Sequence, residues 1–206
     1  METLLTLAIA VGGIATGIGA IWAALSARRQ AQITERSLAQ TERSLAEQNE
    51  RSRLNLEVDL LTRLRDRFEN PHFLSRRRAA AKYLIDNAFL DGDMVEVERL
   101  NRAVLDVCNF FEELGDLQRL GALQDESVWN SFGAIAQAYW LLCKPAIEKR
   151  RAERGDPTMY EEFERLNNLG TALDRERGIA AHSQEWLRRL MRDEAVIGEE
   201  PATTTE

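Results

Sequence analysis

The sequence predicts an all-α protein. One N-terminal transmembrane helix continues into a helical neck, and a compact bundle of about five helices follows. Three observations lead there. The first 27 residues hold a long uncharged apolar run, and residues 27–70 contain neither Gly nor Pro. From Leu54 onward apolar residues recur at spacings of three and four, and no window alternates with period two between turn signals as strands would. The expected organisation is an anchor over 1–27, a coiled-coil-like neck over 28–53, a cytoplasmic helical domain over 54–192 and a disordered acidic tail over 193–206.

The anchor comes first. No side chain from Thr3 to Ala27 is charged. As a helix rising ~1.5 Å per residue, that stretch reaches about 37 Å, enough to cross a hydrocarbon core of ~30 Å with some tilt. Trp22 stands near one end, where an indole suits the membrane interface. A cleaved signal peptide is the rival reading, because Ala24-Leu25-Ser26 resembles a cleavage site. The segment Met1-Glu2-Thr3 lacks the positive charge such a peptide carries. Arg28 and Arg29 follow the span and nothing basic precedes it, so the positive-inside rule places the C-terminal body in the cytoplasm. Ala8, Gly12, Thr16, Ala20 and Ala24 form one row of small residues, and Gly13 and Gly17 a second. Such rows let helices approach closely in lipid.

The neck carries an internal heptad repeat, TERSLAQ followed by TERSLAE over 34–47. Leu38 and Leu45 occupy one seam position, and Thr41 falls near the other. A seam with one strong position per heptad makes a weak coiled coil. The neck is expected to pair with copies of itself, against the alternative of a solvated spacer helix.

The bundle is read from its caps and stripes. Leu56, Leu60, Leu61, Leu64 and Phe68 share a helical face. Asn70-Pro71 then ends one helix and starts another over roughly 71–89. Asp91-Gly92-Asp93 reads as a turn. A third helix over roughly 93–115 carries Val97, Leu100, Val104, Cys108, Phe111 and Leu114. Asp125 is the expected cap of a fourth over roughly 125–153, apolar around much of its girth and kinked at Pro145. Asp156-Pro157 repeats the cap-plus-proline signal for a fifth helix to about 176. Gly178 breaks it, and a last helix carries Trp186, Leu187, Leu190 and Met191.

Composition excludes several functions. The net charge of −7 resides mainly in Glu2 and the tail acids, so the body is nearly neutral and offers no footprint for nucleic acid. Two cysteines and two histidines are too few for a disulfide framework or a His/Cys zinc cluster. No phosphate-binding glycine loop and no HExxH motif occurs. Cys108 and Cys143 sit in apolar patterns and read as core thiols. His72 and His182 read as surface or capping residues. The pairs Glu112-Glu113, Asp125-Glu126 and Glu161-Glu162 read as solvated faces or caps, since adjacent helical residues do not share a face. No catalytic residue, metal ligand or cofactor-binding residue is assigned.

The arginines Arg76, Arg77, Arg78, Arg150 and Arg151, with the aromatics Trp129, Tyr139 and Trp140, are the candidates for a ligand pocket. Arginine suits anionic groups, although a solvated face and ordinary core packing are the alternatives.

One resemblance adds to this. The ordered string Phe110-Phe111-Glu112-Glu113-Leu114-Gly115, Val128-Trp129-Asn130-Ser131-Phe132-Gly133, Tyr139-Trp140, Gly155-Asp156-Pro157 and Tyr160-Glu161-Glu162-Phe163 resembles a family of short bacterial membrane-anchored helical proteins known only as a domain of unknown function. The resemblance covers residues 56–170. It implies an inner-membrane protein with a cytosolic helical domain, and it implies no activity. The leading expectation is therefore an interaction scaffold working through self-association and an unidentified protein partner, with the lipid bilayer as its other contact. A ligand-sensing regulator, in stress or phage response, is the alternative. An enzyme assembled from distant helices stands third.

Overall fold

The computed structural model describes residues 2–90, 93–94 and 99–198. For 2–21, 23–27, 31–34, 36, 39, 90, 93 and 94 it describes the backbone alone. The described elements are α1 (Glu2–Glu69), α2 (Pro71–Ala88), β1 (Phe89–Leu90), β2 (Asp93–Met94), α3 (Arg102–Arg119), α4 (Asp125–Arg154), α5 (Glu161–Glu176) and α6 (Gln184–Val196). They fall into two compact units, Met1–Asn55 and Leu56–Glu206.

The first unit is helical backbone belonging to α1, as the absence of Gly and Pro after residue 27 dictates. Leu38 and Leu45 are exposed. The Thr41 hydroxyl turns back onto the Ser37 carbonyl at 2.9 Å. Among the described residues no helix is long and apolar enough to cross a membrane. The expected anchor, with Ala8, Gly12, Gly13, Thr16, Gly17 and Ala20, falls on residues whose side chains lie outside the description.

In the second unit, α2 packs on α3 and α6, and α5 packs on α3 and α4. The last turns of α1 supply Leu64 and Phe68 to the core. Phe68 lies 5.0 Å from Phe110 and edge-on to Phe132 at 5.4 Å. Phe111 stacks on Phe163 at 5.1 Å, and Trp140 meets Phe163 edge-on. Such pairs add to burial through their ring quadrupoles. Cys108 and Cys143 are buried free thiols. The hydrogen bond with Cys108, and then burial, push the Cys143 thiol well above its ordinary value, the opposite of what a nucleophile needs.

Several expected boundaries move. The third helix begins at Arg102, because the Asn101 side chain accepts the Val104 N–H at 2.9 Å and caps it there, and it runs through Gly115 to Arg119 rather than ending at the glycine. Phe89–Leu90 pair antiparallel with Asp93–Met94, a minimal β ladder in a chain expected to have none. Asp91 and Gly92 of the expected turn lie outside the described residues. The fifth helix begins at Glu161 rather than at Pro157. The Asp156 carboxylate is spent on Thr158, accepting its N–H at 3.1 Å and its hydroxyl at 2.7 Å. Tyr160 then turns left-handed at φ 60° before the helix starts. Helix α4 runs through Pro145 to Gly155, whose φ of 64° supplies the left-handed cap. The last helix reaches Val196, so Asp193 and Glu194 belong to the bundle rather than to a disordered tail. Residues 199–206 lie outside the description.

Two helix starts are capped from other helices. The α4 N-cap is Gln124, without a side-chain cap of its own, and Asp125 is already helical. The buried Glu57 of α1 accepts the Gln124 N–H at 3.0 Å. The α5 N-cap, Tyr160, likewise lacks a side-chain cap, and Glu112 of α3 accepts the Phe163 N–H at 2.7 Å. Burial pushes the Glu112 carboxyl above its ordinary value, while the backbone donors of Phe163 and Glu162 pull it down. Each carboxylate also faces the positive end of a helix macrodipole.

Arg77 binds the helices together. Its Nε donates to Glu194 Oε2 at 3.0 Å and its Nη2 to Oε1 at 2.6 Å, a bidentate fork across α2 and α6. The two side chains are 4% and 7% exposed. Nη1 donates to the Phe68 carbonyl at 3.1 Å, and the guanidinium lies 3.7 Å over the Phe68 ring. The Arg77 carbonyl accepts the Tyr139 hydroxyl of α4 at 3.2 Å.

Arg77→Met strands the Glu194 carboxylate in the interior and is expected to cost ~3–5 kcal/mol. Arg77→Met with Glu194→Leu recovers most of that, as read by chemical denaturation of the purified chain. Burial already holds the Glu194 carboxyl above its ordinary value against the pull of Arg77. The single variant's loss therefore shrinks as pH falls through that raised folded value, where the acid takes up a proton. Glu112→Ala is expected to lower stability by ~1 kcal/mol, the usual worth of an N-cap, in the same denaturation measurement.

Candidate functional site

A cleft of about 510 Å³ opens on the helical domain. It is walled by α4, α5 and the segment leading to α6. Its position follows from local patterning. On α4, Trp129, Gly133 and Gln137 recur every fourth residue and so share a face. On α5, Asn167, Gly170, Thr171 and Asp174 recur at three and four. Trp129 lies flat between the two helices because Gly133 and Gly170 have no side chains. A Cβ at either would come within 2.3 or 2.0 Å of its ring. Gly178, at φ 71°, then turns the chain, and the Ile179 N–H bonds back to the Asp174 carbonyl at 2.8 Å. That reversal carries His182 over the cleft.

Asp174 is the node. Its Oδ1 accepts the Trp129 indole N–H at 3.0 Å, and its Oδ2 accepts Gln137 Nε2 at 3.1 Å. His182 Nε2 stands 3.8 Å from Oδ2, beyond hydrogen-bond reach. The imidazole stacks on Trp186 with centroids 3.6 Å apart and planes 10° from parallel. Burial lowers the His182 value below the ordinary 6.5, against the opposing pull of Asp174. The Thr171 hydroxyl is held by the Asn167 carbonyl of its own helix at 2.9 Å. Leu141 and Ile179 supply half-exposed apolar walls. The arrangement suits binding: acceptors at the base and apolar walls above them. No group of three His, Cys, Asp or Glu side chains among the described residues could hold a metal ion.

The pocket candidates read from the sequence are dispersed. Arg76 faces Asp106 at 3.7 Å. Arg77 is interior, Arg78 is half-buried beside it on α2, and Tyr139 bonds to the Arg77 carbonyl. Trp140 is buried against Phe163. Arg150 lines a separate groove of about 360 Å³ with Arg99, Lys149 and Glu153. Arg151 bonds the Met159 carbonyl at 2.9 Å and Glu164 at 2.8 Å. Of these eight residues only Trp129 touches the Asp174 network. His182 reaches the cleft, whereas His72 is exposed at the start of α2. The paired acids stand elsewhere: Glu113 pairs with Arg67 at 2.6 Å, and Glu126 with Arg177 at 3.4 Å.

Asp174 and Gln137 were not marked by the sequence. They stand 37 positions apart, and no spacing rule joins residues on different helices. The one usable signal was two helical glycines, since a glycine inside a helix points to close approach by another group.

A family model described as a domain of unknown function, DUF4760, matches residues 12–169. The match begins well before residue 56 and takes in most of the apolar run and all of the neck. No curated protein and no solved structure matches the chain.

The lowered His182 value fixes a pH dependence. An imidazole that resists protonation when folded contributes stability above its ordinary value of 6.5. That contribution is lost as pH falls through 6.5 toward the lower folded value, because the unfolded chain binds the proton more readily. His182→Gln is expected to reduce the drop in melting temperature between neutral and mildly acidic pH, with the wild type as reference.

Proposed function

We propose that this chain, which belongs to the DUF4760 family, is a single-pass protein of the bacterial inner membrane. Its helical domain faces the cytoplasm, and the protein works as a scaffold by self-association through its neck and by binding a protein partner. The observation that carries the reading is the leucine pair at heptad spacing. Leu38 and Leu45 are 60% and 52% exposed, a solvation cost that a second copy laid along the seam removes. Thr41 offers little to that seam, so the pairing is weak on its own. Confinement to a membrane raises the effective concentration of copies and compensates for a weak contact. The absence of charge over residues 3–27 supports the anchor, with Arg28 and Arg29 directly after the span.

The test uses the full chain in native membranes. Leu38→Cys is expected to cross-link to a second copy under mild oxidation, and native mass spectrometry of the wild type to give a defined oligomer. Leu38→Glu with Leu45→Glu should shift that oligomer toward monomer. A wild type that is monomeric, or an oligomer indifferent to both charges, would overturn the reading.

A further inference from the structure

The base of the Asp174 cleft has an imbalance of hydrogen-bonding groups that narrows what it can hold. Gln137 is 4% exposed. Its Nε2 is committed to Asp174, and its carbonyl Oε1 is buried with no hydrogen-bond partner. A buried acceptor in that state costs ~1–3 kcal/mol, and such groups in folded proteins call for an explanation. Beside it, the Asp174 carboxylate accepts two N–H donors and has capacity for about two more. Both groups accept. On the wall, the Thr171 hydroxyl is already used by the Asn167 carbonyl, and His182 Nε2 stands 3.8 Å from Asp174, beyond hydrogen-bond reach.

A ligand that completes this base must therefore donate, and a positive donor also meets the Asp174 charge. A hard metal ion is a poor match, because it takes six or more oxygen ligands and no such cluster stands among the described residues. The walls favour carbon: Leu141 and Ile179 are exposed, with Ala180 and Ala181 beside them. The volume of about 510 Å³ lies in the range of small-molecule sites.

We propose that this cleft binds a small organic ammonium with an aliphatic body, its N–H groups shared between the Asp174 carboxylate and the Gln137 carbonyl. The body lies against Leu141 and Ile179. Arg175 stands at the rim, where it meets the carboxylate of an amino acid and gives nothing to a plain amine. The site is independent of the neck, so scaffold assembly and ligand binding stand or fall separately.

Two tryptophans report on the site, Trp129 through its bond to Asp174 and Trp186 through its stack on His182. The full chain in nanodiscs is titrated with n-butylammonium, L-leucine and, as the anionic control, pentanoate, read by tryptophan emission and by calorimetry. Saturable binding of at least one of the two amines and none of pentanoate is expected. Tighter binding of L-leucine assigns a zwitterion held also by Arg175, and tighter binding of n-butylammonium a simple amine. Asp174→Asn should weaken binding by about tenfold or more, the loss of a charge-assisted bond. Ile179→Lys, at an exposed position that spares the core, should weaken it similarly by placing a tethered ammonium at the mouth. No saturable binding of either amine, equal binding of pentanoate, or affinity unchanged in both variants would overturn the proposal and leave a water molecule as the partner of Gln137.

Discussion

The helical domain depends on one buried cation. Arg77 cannot shed its charge, so the fold must surround it with acceptors. Glu194 supplies two oxygens, the Phe68 carbonyl a third, and the Phe68 ring a π face. Those partners come from α6 and the end of α1, while Tyr139 of α4 holds the backbone of Arg77 itself. A guanidinium satisfied in this way fixes the rotation of α2 and the position of α6 together. A lysine could not, since a point charge lacks the planar fork that meets both carboxylate oxygens. A buried ion pair is weak evidence for net stability. Its contacts tie α1, α2 and α6 to one guanidinium.

The same economy of charged groups appears where α3 meets α5. Gly115 lies so close to α5 that a Cβ there would stand 2.5 Å from the Glu162 carbonyl oxygen. Glu162 pairs with Arg119 at 2.5 Å and Arg165 at 2.6 Å, and Arg165 reaches back to the Gly115 carbonyl. Glu112 caps α5 from α3. The segments Phe110–Gly115 and Tyr160–Phe163, which carried the family resemblance, thus meet at a helix junction where Glu112 caps α5 and Glu162 is held by two arginines. The chemistry left open lies on the other side of α5, where Asp174 and Gln137 have capacity to spare.

Capacity of that kind arises from a packing constraint. Trp129 is large and its indole N–H needs an acceptor when buried. Two glycines make room for the ring, and Asp174 supplies the acceptor. A carboxylate placed there draws Gln137 toward it, leaving the amide oxygen turned away from any donor. The neck presents a different kind of surface, two exposed leucines one heptad apart.

Much of the architecture was written in the sequence. The all-helical class, the cap at Asn70, the buried thiols and the amphipathic faces follow from propensity, periodicity and capping chemistry, which act between residues a few positions apart. The same local rules misplaced two helix starts and two ends. Asn101 was a better cap than a turn at residue 93 suggested, Asp156 spent its carboxylate on Thr158, and Glu194 looked like tail until Arg77 was found to hold it. The caps that Glu57 and Glu112 supply from other helices were invisible for the same reason, as was the cleft. Asp174, Gln137 and His182 have no fixed spacing, and each alone reads as an ordinary helical or surface residue. Sequence by itself determined which segments are helices and which faces are apolar. Only tertiary structure decided which buried charges meet and which acceptors are left unpaired, because hydrogen bonds and ion pairs between helices are set by distance in space, which local patterning does not encode.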